Sequence, residues 1–161
     1  MKKVISKVMV FVVVMVLSVT AVCSSTCSAA SEYTFKYKKV TAKMNGKAKK
    51  LLKKAGKIEK KKVSKSCAYN GYDRTYLFKN FMVSTYSKSK KGAEYINCIK
   101  LRTSKVSTRE GIKLGSSKND VIKAYGQAKN NYGVYTYTKG KSKLQIEITD
   151  NVVTAISYIA R

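Results

Sequence analysis

There is no histidine in this chain, no proline and no tryptophan, and only 8 of its 161 residues are acidic. Without histidine there is no imidazole base, no imidazole metal ligand and no Ser-His or Cys-His nucleophile pair. So few carboxylates, spread along the chain, disfavour a carboxylate-rich metal site or a glycosidase pair. Composition therefore argues against most enzymes, and it implies no cofactor and no metal. The length fits one domain or two small repeats.

Positive charge is what the chain has in excess: 34 Lys and Arg give a formal net charge of +26. There are also 12 Tyr and 4 Cys.

The first thirty residues read as an export signal. Lys2, Lys3 and Lys7 form a basic start, and Val8–Val22 is apolar apart from Ser18 and Thr20. The small residues of 24–31 come next, so cleavage is expected near Ala30. The apolar run is 15 residues, short of the roughly 20 that span a bilayer. Lipid attachment at Cys23 is disfavoured because Val22, rather than a small residue, precedes it. Removing residues 1–30 removes three lysines and no acid, leaving a charge of +23 to be solvated or matched to a polyanion. It also leaves two cysteines. In an exported protein, Cys67 and Cys98 are expected to form a disulfide contributing about 3 kcal/mol.

Residues 31–44 read as a basic leader or a short strand. Residues 45–56 predict a helix with Ala48, Leu51, Leu52 and Ala55 on one face and Gly56 at its end. Residues 115–126 predict a second, with Ser117 and Asp120 at capping-box spacing and Gly126 as the stop. Three strand-like runs come after each helix: 74–79, 81–86 and 95–101, then 134–138, 144–149 and 152–159. Asp150-Asn151 and Asn70-Gly71 mark turns. The two halves match element by element. The expected fold class is therefore α+β, in two tandem units (45–102 and 103–161) of a short helix plus three antiparallel strands.

Two stretches are more specific than composition: SCAYNGYDRTYLFKNFMVSTY at 66–86 and STREGIKLGSSKNDVIKAYG at 107–126. Over roughly residues 45–161 they resemble small exported, often lipid-anchored proteins of Gram-positive anaerobes. The pattern from Thr108 through Gly115, Ser116 and Ser117 to Tyr125-Gly126 is similar to the helix start of the β-lactamase-inhibitor-protein-like fold, shared by the SmpA/OmlA-type outer-membrane assembly lipoproteins. That resemblance implies short helices packed on an antiparallel sheet, scaffolding or inhibitory binding, and structural places for Gly71, Asp73 and Tyr76. It implies no catalytic residues.

Residues 36–65 hold 14 lysines and one acid, Glu59. Lys47, Lys49, Lys50, Lys53, Lys54, Lys57, Lys60, Lys61 and Lys62 are the candidate polyanion contacts, since flexible point charges bind polyanions by counterion release. The partners this favours are anionic cell-wall polymers or lipid headgroups. Nucleic acid is disfavoured by the export signal. Tyr76, Phe78, Tyr86, Tyr135 and Tyr137 are candidates for an exposed protein interface on the sheet. Ser87 and Lys90 have the S-x-x-K spacing of penicillin-binding enzymes, which chance explains in so lysine-rich a chain. The expectation is an exported, non-enzymatic binding or scaffold protein at the Gram-positive cell surface. The alternative is a secreted inhibitor of an enzyme such as a β-lactamase or wall hydrolase.

Overall fold

The computed structural model describes residues 32–161. The export signal and the Cys23 site lie outside the described residues. A two-residue period of burial organises the fold. Phe81, Val83, Thr85 and Ser87 are buried, while Met82, Ser84 and Tyr86 between them are half-buried. Leu144 and Ile146 repeat the pattern against Lys143 and Gln145. Successive side chains of a strand point to opposite faces, so each such run buries one face only.

The chain forms β1 (Thr34–Tyr37), β2 (Val40–Lys43), α1 (Lys49–Ala55), β3 (Lys60–Lys65), β4 (Tyr72–Leu77), β5 (Phe81–Ser87) and β6 (Tyr95–Leu101). It continues with α2 (Lys118–Tyr125), β7 (Asn130–Asn131), β8 (Val134–Lys139), β9 (Ser142–Thr149) and β10 (Val152–Ala160). β3 to β10 make one eight-stranded antiparallel sheet in the order β3-β4-β5-β6-β10-β9-β8-β7, and β1-β2 is a separate hairpin.

This corrects the expected β-lactamase-inhibitor-protein-like arrangement of two units, each a helix plus three strands. The described residues are mostly β, with ten strands and two short helices, and β6 pairs with β10 to join the halves into one sheet. Four strands come after each helix. The additional ones are β3, a lysine run with every residue exposed, and β7, which has two residues. Lysine is depleted in strands generally, which hid β3, but it is well suited to an exposed edge.

One face of the sheet is covered. Phe81, Val83, Ile96, Ile99, Leu144, Ile146, Ile156 and Tyr158 pack beneath Leu51 of α1, Val121 of α2 and the hairpin residues Phe35 and Ala42. The other face presents Thr75, Ser84, Thr136 and Gln145, all half-exposed. Phe35 is wholly buried. Its ring meets Phe81 of β5 edge-on at 5.1 Å and Tyr158 of β10 at 5.7 Å, so it spans the seam where β6 and β10 pair. Residues 31–44, read as strand or leader, thus supply a central core side chain.

The helix starts differ. Ser117 caps α2 with a complete capping box to Asp120. Ala48 starts α1 with no side-chain cap, and its N–H instead donates to Glu94 O at 2.9 Å. Asn45 N–H and Gly46 O likewise pair with Ile96, so residues 45–47 belong to the sheet side of the junction and not to the helix predicted there.

Phe35→Ala should cost about 3–5 kcal/mol in urea unfolding, because it empties a site bounded by both halves of the sheet. Lys36→Ala, one residue away and exposed, should shift stability by no more than about 0.5 kcal/mol. Equal effects would contradict this role for the hairpin.

Candidate functional site

Lys49, Lys50, Lys53 and Lys54 lie on the solvent side of α1, opposite the buried Leu51 and Ala55. Lys60, Lys61 and Lys62 lie on the edge strand β3, and Lys47 and Lys57 flank the helix. All nine are exposed. Lys61 Nζ also sits 5.2 Å from the Tyr76 ring centre, a cation–π distance.

The acids are engaged elsewhere. Glu32 pairs with Lys43 at 3.3 Å, Glu59 with Arg102 at 2.7 Å and Glu147 with Lys100 at 3.9 Å. Asp73 accepts from Tyr69, Glu110 from Tyr125 at 2.6 Å, and Asp120 caps α2. Asp150 occupies the β9–β10 turn with φ of 50°, beside Asn151 at 63°. Two positive φ values are what a tight two-residue hairpin turn requires. Among the described residues, the ion pairs include none of the nine lysines.

Glu94 anchors a polar network. It accepts from Tyr76 Oη at 2.9 Å and from Thr85 Oγ1 at 2.8 Å, and it faces Arg74 Nε at 3.5 Å. Arg74, 4% exposed, also donates to Ser87 Oγ at 2.5 Å and to the Lys90 carbonyl. Ser87 is fully buried and donates to Ser89 O at 2.8 Å. Its hydroxyl therefore holds the β5–β6 loop, and the S-x-x-K spacing is a structural feature of that loop. Among the described residues, no group of three or more Cys, Asp or Glu converges to hold a metal.

The aromatic interface expected at Tyr76, Phe78, Tyr86, Tyr135 and Tyr137 is not assembled. Tyr76, Phe78, Tyr135 and Tyr137 are buried on the covered face. A tyrosine in a strand obeys the pleat, and the three tyrosines share the parity of the core residues, with Phe78 buried just past the end of β4. Two of the tyrosine hydroxyls donate to partners at the margin of the core: Tyr76 to Glu94, and Tyr137 to Gly126 O at 3.1 Å. Tyr86 alone points to the other face, between Tyr95 at 5.5 Å and Tyr69 at 5.5 Å. The exposed ring of Tyr69 has no signature in the sequence, since nothing in its loop signals a partner.

The expected disulfide is absent: Cys67 and Cys98 are free thiols. Cys67 lies after β3 in the loop to β4, and Cys98 lies on β6 opposite Ser84. Two strand spacings, about 10 Å, separate β4 from β6, beyond the roughly 7 Å over which two Cα atoms can be bridged.

Two clefts break the basic surface. One, of about 490 Å³, lies among Lys47, Lys49, Leu52, Lys91 and Glu94. The other, of about 520 Å³, lies between the β1–β2 hairpin and residues 107–109.

No family model, no curated protein and no solved structure matches this chain. Its function is therefore read from its own charge and geometry.

Burial, then the Glu94 hydrogen bond, pushes the Tyr76 phenol up to about 12. Burial also raises Tyr125, Tyr137 and Tyr158. Phenols raised in the fold contribute stability that is complete below pH 10 and is lost as pH climbs toward 12. Absorbance titration should show these tyrosines silent until alkaline unfolding, and simple titration of all 12 near pH 10 would contradict their burial. Alkylation followed by mass spectrometry should label exposed Cys67 quickly and Cys98, whose thiol burial raises, slowly. Recovery of a Cys67–Cys98 linked peptide from the folded protein would overturn that geometry.

Proposed function

We propose that this protein is an exported, non-enzymatic binding or scaffold protein, retained at the Gram-positive cell surface by contact between its lysine face and anionic wall polymers. One observation supports this reading above the others. The nine lysines of 47–62 are exposed and outside the ion pairs, while seven of the eight acids engage partners elsewhere. Positive charge left without internal counter-ions attracts a condensed polyanion and releases its counterions on contact. Lysine suits the role, because a hydrated point charge on a flexible stem tracks a polymer without requiring fixed geometry.

Edge protection accounts for part of the same pattern. Lysines on β3 discourage another strand from pairing there. That reason does not extend to Lys49, Lys50, Lys53 and Lys54, which lie on a helix and not on a strand. No helix among the described residues is long and apolar enough to cross a membrane.

The test is binding of the purified protein to native walls and to walls stripped of teichoic acid, across a salt series, with DNA as competitor. The expected result is saturable binding, lost on stripping, steep in salt and weakly competed by DNA. Replacing Lys49, Lys50, Lys53 and Lys54 with Gln should weaken it about tenfold or more and flatten the salt slope. Equal binding to every polyanion, or none near 0.15 M salt, would refute retention as a selected function.

A further inference from the structure

The hairpin presents a polar side because its other side is fixed in the core. Phe35 and Ala42 are register partners and both are buried. Strand alternation then turns Thr34, Lys36 and Thr41 outward, with Lys36 directly opposite Thr41. Lys38 continues this side into the turn, its Nζ 5.4 Å from the Tyr37 ring centre. Across the cleft stands a second rigid element. Thr108 N–H donates to Ile112 O at 2.7 Å and Gly111 N–H to Thr108 O at 3.1 Å. Gly111 has φ of 89°, which closes the tight turn. Thr108 Oγ1 accepts from Ile112 N–H at 3.1 Å and is committed to the turn. Ser107 and Arg109, on either side of it, are exposed.

The cleft between these elements measures about 520 Å³. Its lining combines three cations with hydroxyl-bearing side chains and contains no carboxylate. A small neighbouring recess shares Thr34 and Arg109 and includes Glu32 and Glu110. Glu32 pairs with Lys43 and Glu110 accepts from Tyr125, and the ion pairs of the described residues do not include Arg109.

We propose that this cleft binds a phosphate ester of a polyol. Lys36, Lys38 and Arg109 hold the phosphate, and Thr34, Thr41 and Ser107 bond the hydroxyls. The guanidinium fork matches two phosphate oxygens at once, and the two ammonium groups supply the remaining charge. A simple inorganic anion leaves all three hydroxyls unused, whereas a glycerol or ribitol phosphate engages the cations and the hydroxyls together. The proposal rests on the surface-retention reading and refines it: the α1 and β3 lysines give diffuse attraction, and this cleft recognises the repeating unit of the polymer. The same unit occurs as a phosphatidylglycerol headgroup.

The experiment is a nuclear magnetic resonance titration of the purified protein with glycerol 3-phosphate, inorganic phosphate and glycerol. Glycerol 3-phosphate should shift the amides of 34–41 and 107–111 saturably and bind several-fold more tightly than inorganic phosphate. Arg109→Gln with Lys36→Gln, both exposed, should weaken it roughly tenfold without changing the unfolding midpoint. Lys49→Gln with Lys53→Gln should leave this binding intact while weakening attachment to walls. Phosphatidylglycerol vesicles then separate the sources. Vesicle binding lost in the Arg109 variant assigns a lipid headgroup, and cleft binding without vesicle binding assigns the polymer. Shifts scattered over every lysine, an affinity unchanged in the Arg109 variant, or no preference over inorganic phosphate would overturn the proposal. Wall binding without glycerol 3-phosphate binding would remove this site and keep the surface reading.

Discussion

The structure depends on one sheet that buries a single face. Eight strands hydrogen-bond edge to edge, but their stability requires apolar cover on one side. Two short helices cannot provide it alone, since α1 buries only Leu51 and Ala55, and α2 only Val121. The hairpin β1–β2 completes it. Phe35 lies over the β6–β10 seam, touching Phe81 on one side and Tyr158 on the other. Aromatic rings meeting edge-on there contribute beyond their buried area. Tyrosine content that suggests a binding surface in the sequence is instead the material of this core, with hydroxyls such as those of Tyr76 and Tyr137 carried to a polar margin.

The duties of the scarce acids stem from that architecture. A buried arginine such as Arg74 requires a carboxylate nearby, since an unpaired charge away from water is very costly. Glu94 meets this need and also receives Tyr76 and Thr85. Asp120 caps a helix, and Glu59 holds Arg102 against the Phe78 carbonyl. Structural duties therefore absorb nearly all the negative charge. The lysines are left to solvent and to whatever polyanion the surroundings offer. An unbalanced composition leaves an excess of exposed positive charge without internal counter-ions in this way.

Much of the local structure was legible. Tyr95–Leu101 forms its strand at the bounds read from its β-branched and aromatic residues, and Ser117, Asp120 and Gly126 start and stop α2 as their spacing indicates. Asp150-Asn151 turns because these residues tolerate positive φ. β3 was not legible, because lysines carry no alternation when both faces of an edge strand are wet. Residues 45–47 were not, because their hydrogen bonds to β6 involve a strand about fifty residues later. The cleft beside Arg109 was not, because its two walls are far apart in sequence.

The excess of positive charge, the lack of imidazole chemistry, the α2 cap and six of the strands were settled by residue order alone. These are local or additive properties, set by composition and by neighbours within a few residues. Long-range pairing was needed to bring all eight strands into one sheet, to turn four of the five candidate aromatics inward and to hold Cys67 and Cys98 apart. It was also needed to place Lys36, Lys38 and Arg109 along one cleft. Each of these depends on strand register and on which face is covered, and a shift of one residue in pairing reverses every side chain.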